Sequence, residues 1–210
     1  MGVFVKICGI CSDRSLEASV SAGADAVGFI VRVPMSPRNL RIEEAKKLRD
    51  KLPYNVKSVL VMVPKTQKEV LQTIEAIQPD MVQLHGDNID TTKIQVPVIR
   101  GVNQRISIKD ARQLTSKCDF LLLDTYKKNM YGGTGKLQDP YYSKSFIEQV
   151  APHPVILAGG LRPENVVELV KLTNPFGVDV STGVETSPGV KDPEKIIEFI
   201  EAVKRRRKLS

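Results

Sequence analysis

The run Val155-Ile156-Leu157-Ala158-Gly159-Gly160-Leu161-Arg162-Pro163-Glu164-Asn165 decides how the whole chain is read. Four apolar residues, two of them β-branched, are followed by two glycines and then by a proline that opens a polar-faced stretch to Leu172. That order spells strand, tight turn and helix start. Another apolar run, Val178 to Ser181, follows at once. A strand, a helix and a second strand in succession place the strands side by side and parallel, joined by a right-handed crossover.

Working outward, the same unit recurs. Apolar runs lie at Val3 to Cys8, Ala26 to Val31, Val56 to Val63, Met81 to Leu84, Val96 to Gly101 and Phe120 to Asp124, which with the last two makes eight. Helix signals fall between them. Ser12/Asp13 precede Leu16 to Ala22, Arg41 to Leu52 follows the Ser36-Pro37-Arg38-Asn39 turn, and Thr66 opens a stretch to Gln78. Ser107 opens one to Ser116, Asp139-Pro140 one to Val150, Pro163 one to Leu172, and Asp192-Pro193 the last. The stretch from Asn88 to Ile94 is too short to assign. Eight units in 210 residues leave about 26 residues each, near the lower limit of a closed (β/α)8 barrel. The expectation is therefore an α/β chain forming one TIM barrel over residues 1–210, with no room for a second domain.

Composition narrows the function classes. With 41% apolar residues and charges of both signs along most of the chain, disorder is excluded. No run approaches the roughly 20 apolar residues of a membrane helix, and Met1 to Lys6 lacks the layout of a signal peptide. A cytoplasmic protein is expected. Three cysteines, Cys8, Cys11 and Cys118, are odd in number and too few for a disulfide scaffold. Of the formal charge of +7, five units sit at Lys204, Arg205, Arg206, Arg207 and Lys208, leaving +2 elsewhere. That cluster reads as a helix end whose cations oppose the negative end of the dipole, rather than as a nucleic-acid arm, so neither nucleic acid nor membrane is expected as a partner.

In a barrel the chemistry sits at the C-terminal ends of the strands. Alternation along Val3 to Gly9 turns Phe4, Lys6 and Cys8 inward, and places Cys8 at the rim with an ammonium two residues below it. A cation beside a thiol lowers its pKa toward the range of a useful base or nucleophile. Asp124 ends the sixth strand on the same face as Leu122 and Phe120, where it is an acid of raised pKa or half of an ion pair with Lys6. Gln83 and His85 share one face of the fourth strand, Asp179 and Ser181 one face of the eighth. Gly159 and Gly160, and Ser181-Thr182-Gly183, make the turns after the last two strands, where barrels bind phosphate through backbone N–H groups. Arg38, on its turn, suits a planar carboxylate. The loop Thr125 to Gly135, with three glycines, reads as a lid.

Cys8-Gly9-Ile10-Cys11 also matches C-x-x-C, but eight strand-helix units do not resemble a thioredoxin. With only His85 and His153 as histidines, a zinc site lacks ligands.

These motifs together resemble the phosphoribosylanthranilate isomerase family of tryptophan biosynthesis. The likeness runs through Lys6-Ile7-Cys8-Gly9-Ile10, Gly28-Phe29, Ser36-Pro37-Arg38 and Val82-Gln83-Leu84-His85-Gly86. It continues through Asp124, Gly132-Gly133-Thr134-Gly135, Leu157 to Asn165, Gly177 to Glu185 and Pro188-Gly189-Val190-Lys191-Asp192. The resemblance implies an Amadori rearrangement of N-(5'-phosphoribosyl)anthranilate, an aminoaldose, to the 1-deoxyribulose 5-phosphate aminoketose, without cofactor or metal, in a monomer or homodimer.

By motif, it makes Cys8 the general base, Asp124 the general acid and Arg38 the ligand of the anthranilate carboxylate, with phosphate held at Gly159, Gly160 and Ser181 to Gly183. Gln83 and His85 are expected at the substrate, Asp179 at a substrate hydroxyl or at Lys6, and Lys6 in support of the thiolate. Two positions depart from the family pattern. Cys11 replaces a usual threonine, which raises oxidation against Cys8, and Lys136-Leu137-Gln138-Asp139 replaces the usual residues after the lid. Other phosphosugar barrels fit less well, since they want metal-binding histidines or aspartates on strands one and five, and strand five here is read as ending at Ile99-Arg100-Gly101.

Overall fold

A computed structural model describes residues 2–86, 89–124 and 139–204. Eight parallel strands, β1 (Phe4–Cys8), β2 (Ala26–Val31), β3 (Lys57–Met62), β4 (Met81–Leu84), β5 (Val98–Asn103), β6 (Phe120–Asp124), β7 (Val155–Leu157) and β8 (Gly177–Val180), pair in sequence order. Pairing of β1 with both β2 and β8 closes the barrel. Seven α-helices surround it among the described residues: α1 (Asp13–Ser21), α2 (Ile42–Arg49), α3 (Gln67–Ile77), α4 (Ile108–Thr115), α5 (Pro140–Val150), α6 (Pro163–Thr173) and α7 (Pro193–Lys204).

Four of the helices begin where short polar side chains take the first free N–H groups. Ser12 accepts from Ser15 N, Thr66 from Glu69 N, Ser107 from Asp110 N, and Asp139 from Tyr141 N and Tyr142 N. Between β4 and β5 the described chain makes only a one-turn 3-10 segment, Thr91–Lys93.

Two apolar layers follow from strand alternation. Val5, Ile7, Val27, Leu60, Val82, Leu121 and Val178 pack outward against the helices. Ala26, Val59, Met81, Ile99, Leu122 and Ile156 fill the barrel with Cys8. The fifth strand departs from its expected bounds. It starts after Pro97, which has no N–H to give the ladder, and it runs on through Gly101 to Asn103. Gly101 lies inside the strand, and a Cβ there would strike the ring of His85, just beyond the end of β4.

Three further segments position the site. Asn39–Leu40 pairs with the end of β2, and Glu185–Ser187 pairs antiparallel with Val190–Lys191 as a hairpin after β8. Lys204, in the last turn of α7, bonds the Gly23 carbonyl and reaches Asp25 at 3.2 Å, so this member of the basic cluster ties the helix end to the barrel. Residues 205–208 lie outside the described residues. Among the described residues no helix is long and apolar enough to cross a membrane.

Candidate active site

A cleft of about 740 Å³, counted out to its open mouth, lies at the C-terminal ends of the strands. Ten of the residues singled out from the sequence line it: Cys8, Arg38, Gln83, His85, Asp124, Gly159, Gly160, Asp179, Ser181 and Thr182. Lys6 lies fully buried. Gly183 stands behind the wall, where any Cβ would collide with the Leu161 carbonyl. The two turns after β7 and β8 thus touch backbone to backbone.

Lys6 and Asp179 are register partners on β1 and β8, and Lys6 Nζ donates to Asp179 Oδ1 at 2.8 Å. Of the two partners expected for Lys6, this is the one the structure shows. Burial works against the ammonium, but Asp179 and Cys8 outweigh it and hold its pKa above the ordinary lysine value.

Cys8 lies opposite Gly28 in the β1–β2 register. A Cβ on Gly28 would sit 2.9 Å from Cys8 Sγ and 3.3 Å from Lys6 Cε, so this glycine makes the space for both side chains. Burial pushes the Cys8 thiol up, Lys6 pulls it down, and burial wins. The expectation that Lys6 brings the thiol into a low range is corrected to this extent: the cation moderates a raised pKa and does not reverse it. Cys8 and Cys11 are both free thiols, and Cys11 Sγ contacts the Gly9 and Arg38 carbonyls at 3.5 Å each.

Asp124, nearly buried, ends β6 three strands around the barrel from β1. Gln83 lies on β4 and His85 just past its end rather than on the strand as expected, and the amide Nε2 of Gln83 meets His85 Nε2 at 2.8 Å. An amide N–H can only donate, so His85 accepts there and is neutral. Burial of most of the ring, with Lys6 and Arg100 nearby, drives the His85 pKa down to about 4. Gln83 Oε1 is buried without a partner among the described residues.

The turn after β7 is shaped by its two glycines. Gly159 and Gly160 adopt φ of +87° and +69°, a region that favours glycine. They lead into the amino end of α6, where Asn165 Nδ2 donates to the Gly160 carbonyl at 3.0 Å.

Two residues without an assigned role in the sequence reading complete the site. Arg38 donates Nε and Nη2 to the two carboxylate oxygens of Glu185, at 2.7 and 2.6 Å. Lys191 Nζ donates to Glu185 Oε1 at 2.7 Å, to the Ser181 carbonyl at 3.0 Å and to Ser181 Oγ at 3.2 Å. Both residues fall inside the family-like blocks, but nothing in their spacing shows that they meet Arg38. The lid segment from Thr125 to Gly135, and Lys136 to Gln138, lie outside the described residues. Among the described residues no cluster of three or more His, Cys, Asp or Glu side chains is arranged to hold a metal.

A family model, N-(5'-phosphoribosyl)anthranilate isomerase, matches residues 5–202. The chain belongs to this family. It is 40% identical over 209 residues to the N-(5'-phosphoribosyl)anthranilate isomerase of Methanocella arvoryzae, covering 95% of this chain and 97% of that one. The phosphoribosylanthranilate isomerase of Thermotoga maritima superposes with a TM-score of 0.84 at 33% identity, over 97% of this chain and 99% of that one. A second solved relative, at TM-score 0.81, 32% identity and the same coverage, is a complex with reduced 1-(o-carboxyphenylamino)-1-deoxyribulose 5-phosphate. Phosphoribosylanthranilate isomerases thus share the fold over nearly the whole chain, with the eight-stranded parallel barrel as their common frame.

Proposed function

We infer that the chain is an isomerase of tryptophan biosynthesis, converting N-(5'-phosphoribosyl)anthranilate to 1-(2-carboxyphenylamino)-1-deoxyribulose 5-phosphate by general acid and base catalysis. Family membership supports the reaction. The observation that carries the mechanism is one cleft lined at once by a thiol, a carboxyl, an arginine and two glycine-bearing turns.

The phosphate end rests on the turns at Gly159/Gly160 and Ser181 to Gly183, near the amino end of α6, where N–H groups and the helix dipole favour an anion. Arg38 receives the anthranilate carboxylate at the other end. Between these grips the ribose lies against Cys8 and Asp124. Asp124 delivers a proton to the ring oxygen, the C–O bond breaks, and a Schiff base forms at C1'. That cation acidifies the C2' proton, which the Cys8 thiolate removes to give the enolamine. Tautomerisation then yields the ketone. Gln83 Oε1 accepts a hydrogen bond from a substrate hydroxyl, neutral His85 fixes the Gln83 amide, and Asp179 holds Lys6 in place beside the thiol.

No redox centre or metal enters these steps, and the small-molecule phosphosugar is the partner, with no nucleic acid or membrane required. A single barrel over residues 1–210, working in the cytoplasm as a monomer or homodimer, accounts for the reading. Expression of the chain in a bacterial strain lacking this isomerase should restore growth without tryptophan. Absence of growth despite soluble protein contradicts the assignment.

A further inference from the structure

Arg38 is held from three sides, and none of the contacts belongs to the proton transfers. Its aliphatic stem crosses Gly9, where a Cβ would lie 2.5 Å from Arg38 Cδ. The tip of the Glu185–Lys191 hairpin presses on the backbone of its turn. Gly189, at φ +86°, comes so close that a Cβ would lie 2.7 Å from the Pro37 carbonyl. Glu185, with 4% of its side chain exposed, takes one guanidinium edge through Nε and Nη2.

A guanidinium has five N–H donors. Glu185 takes two of them and leaves the outer edge, Nη1 with the second hydrogen of Nη2, which is itself a fork matched to a carboxylate. The charge count also leaves room for an anion, because Arg38 and Lys191 together carry one positive charge more than Glu185 balances. Burial pushes the Glu185 carboxyl up, but Arg38 and Lys191 outweigh it and hold it below the ordinary value, so it stays ionised. Lys191 then joins the same carboxylate to Ser181, in the turn assigned to phosphate.

We propose that Glu185 is the positioning residue for recognition of the anthranilate carboxylate: it fixes Arg38 with its outer edge toward the cleft. Through Lys191 it locks that grip to the phosphate turn. The proposal rests on the substrate reading given above and adds a residue that acts through Arg38 without touching the ligand. The hairpin works as a spacer between the two anion grips, so a ligand lacking the carboxylate uses only one of them.

Two ligands test it by calorimetric titration: reduced 1-(o-carboxyphenylamino)-1-deoxyribulose 5-phosphate, and the same compound without its carboxyl group. The wild-type protein should bind the first at least about 10-fold more tightly, the order expected of a charge-assisted bidentate pair. In Glu185→Gln, which keeps the shape, that preference should fall to within about twofold. The sign is diagnostic. Removing a negative charge beside Arg38 raises the local positive potential, so a purely electrostatic role makes the preference larger, and only a role in orientation makes it smaller. An unchanged or increased preference in Glu185→Gln overturns the proposal. Gly189→Ala, at the hairpin tip and outside the cleft, should also reduce the preference, and it decides the matter if Glu185→Gln does not fold. A wild-type protein that binds both compounds equally overturns the assignment of Arg38 to the carboxylate, and the role of Glu185 with it. Wild-type protein that binds neither overturns the substrate reading itself.

Discussion

Lys6 and Asp179 stand side by side in the β1–β8 register, and their charged ends meet at 2.8 Å in the floor of the cleft. Lys6 is fully out of water. An unpaired ammonium there would cost several kcal/mol, so the pair is required for the lysine to remain charged. A fixed positive charge beneath Cys8 is the consequence.

Lys6→Met tests what that charge does. Burial raises the Cys8 thiol and Lys6 opposes it, so removing Lys6 leaves burial unopposed and moves the thiol further up. A base works only when deprotonated. The rising limb of kcat/KM against pH should therefore move to higher pH. On that limb a tenfold fall in the thiol's acid dissociation constant leaves about a tenth of the thiolate, so the rate at pH 7.5 should fall about 10-fold or more. An unmoved limb contradicts this role.

Gly28→Ala tests the fit around the thiol. The added methyl would stand 2.9 Å from Cys8 Sγ, so sulfur and barrel wall must part. A misplacement of about an ångström at a reacting group costs on the order of 10²-fold. Turnover should fall by that order, while circular dichroism stays that of a folded barrel. Normal turnover would mean that the thiol does not need its present position.

These two residues also show what the sequence could reveal. Alternation along β1 places Lys6 and Cys8 inward, because a strand has only two faces. The bounds of β2, β4 and β6 are legible for the same reason: their apolar runs begin and end abruptly. Gly28 and Gly101 are less so, since a glycine inside a strand signals a close approach without naming what approaches. The partner of Lys6 depends on register between strands 173 residues apart, which periodicity does not carry; two carboxylates were possible. Glu185 and Lys191 are visible as motif letters only, because their meeting with Arg38 is made by a hairpin folding over a distant turn.

Arg38→Ala should act chiefly on binding. On the proposed reading the guanidinium holds the substrate's carboxylate, away from the bonds that break, so KM should rise about 10- to 100-fold with kcat within a few-fold. Steady-state kinetics separate the two. A fall in kcat alone would place Arg38 in the chemistry instead.

His85 gives a pH dependence of stability. Its folded pKa is down to about 4 from an ordinary value of 6.5, so the folded state disfavours the proton that the unfolded chain accepts. The stability is present in full above pH 6.5 and is lost as pH falls from 6.5 toward 4, by about 3 kcal/mol in total. Urea unfolding at pH 7 and pH 4.5 should show a larger difference in the wild type than in His85→Gln. Equal differences would mean that the ring is not buried neutral.

The central claim is that Cys8 and Asp124 carry the two proton transfers. Its most direct test follows the loss of phosphoribosylanthranilate fluorescence with purified wild-type protein, Cys8→Ala and Asp124→Asn, each checked for a folded barrel. The account predicts rapid loss with the wild type and turnover lower by about 10²- to 10⁴-fold in each variant, the usual contribution of a positioned acid or base. Near-normal turnover in either folded variant would contradict it.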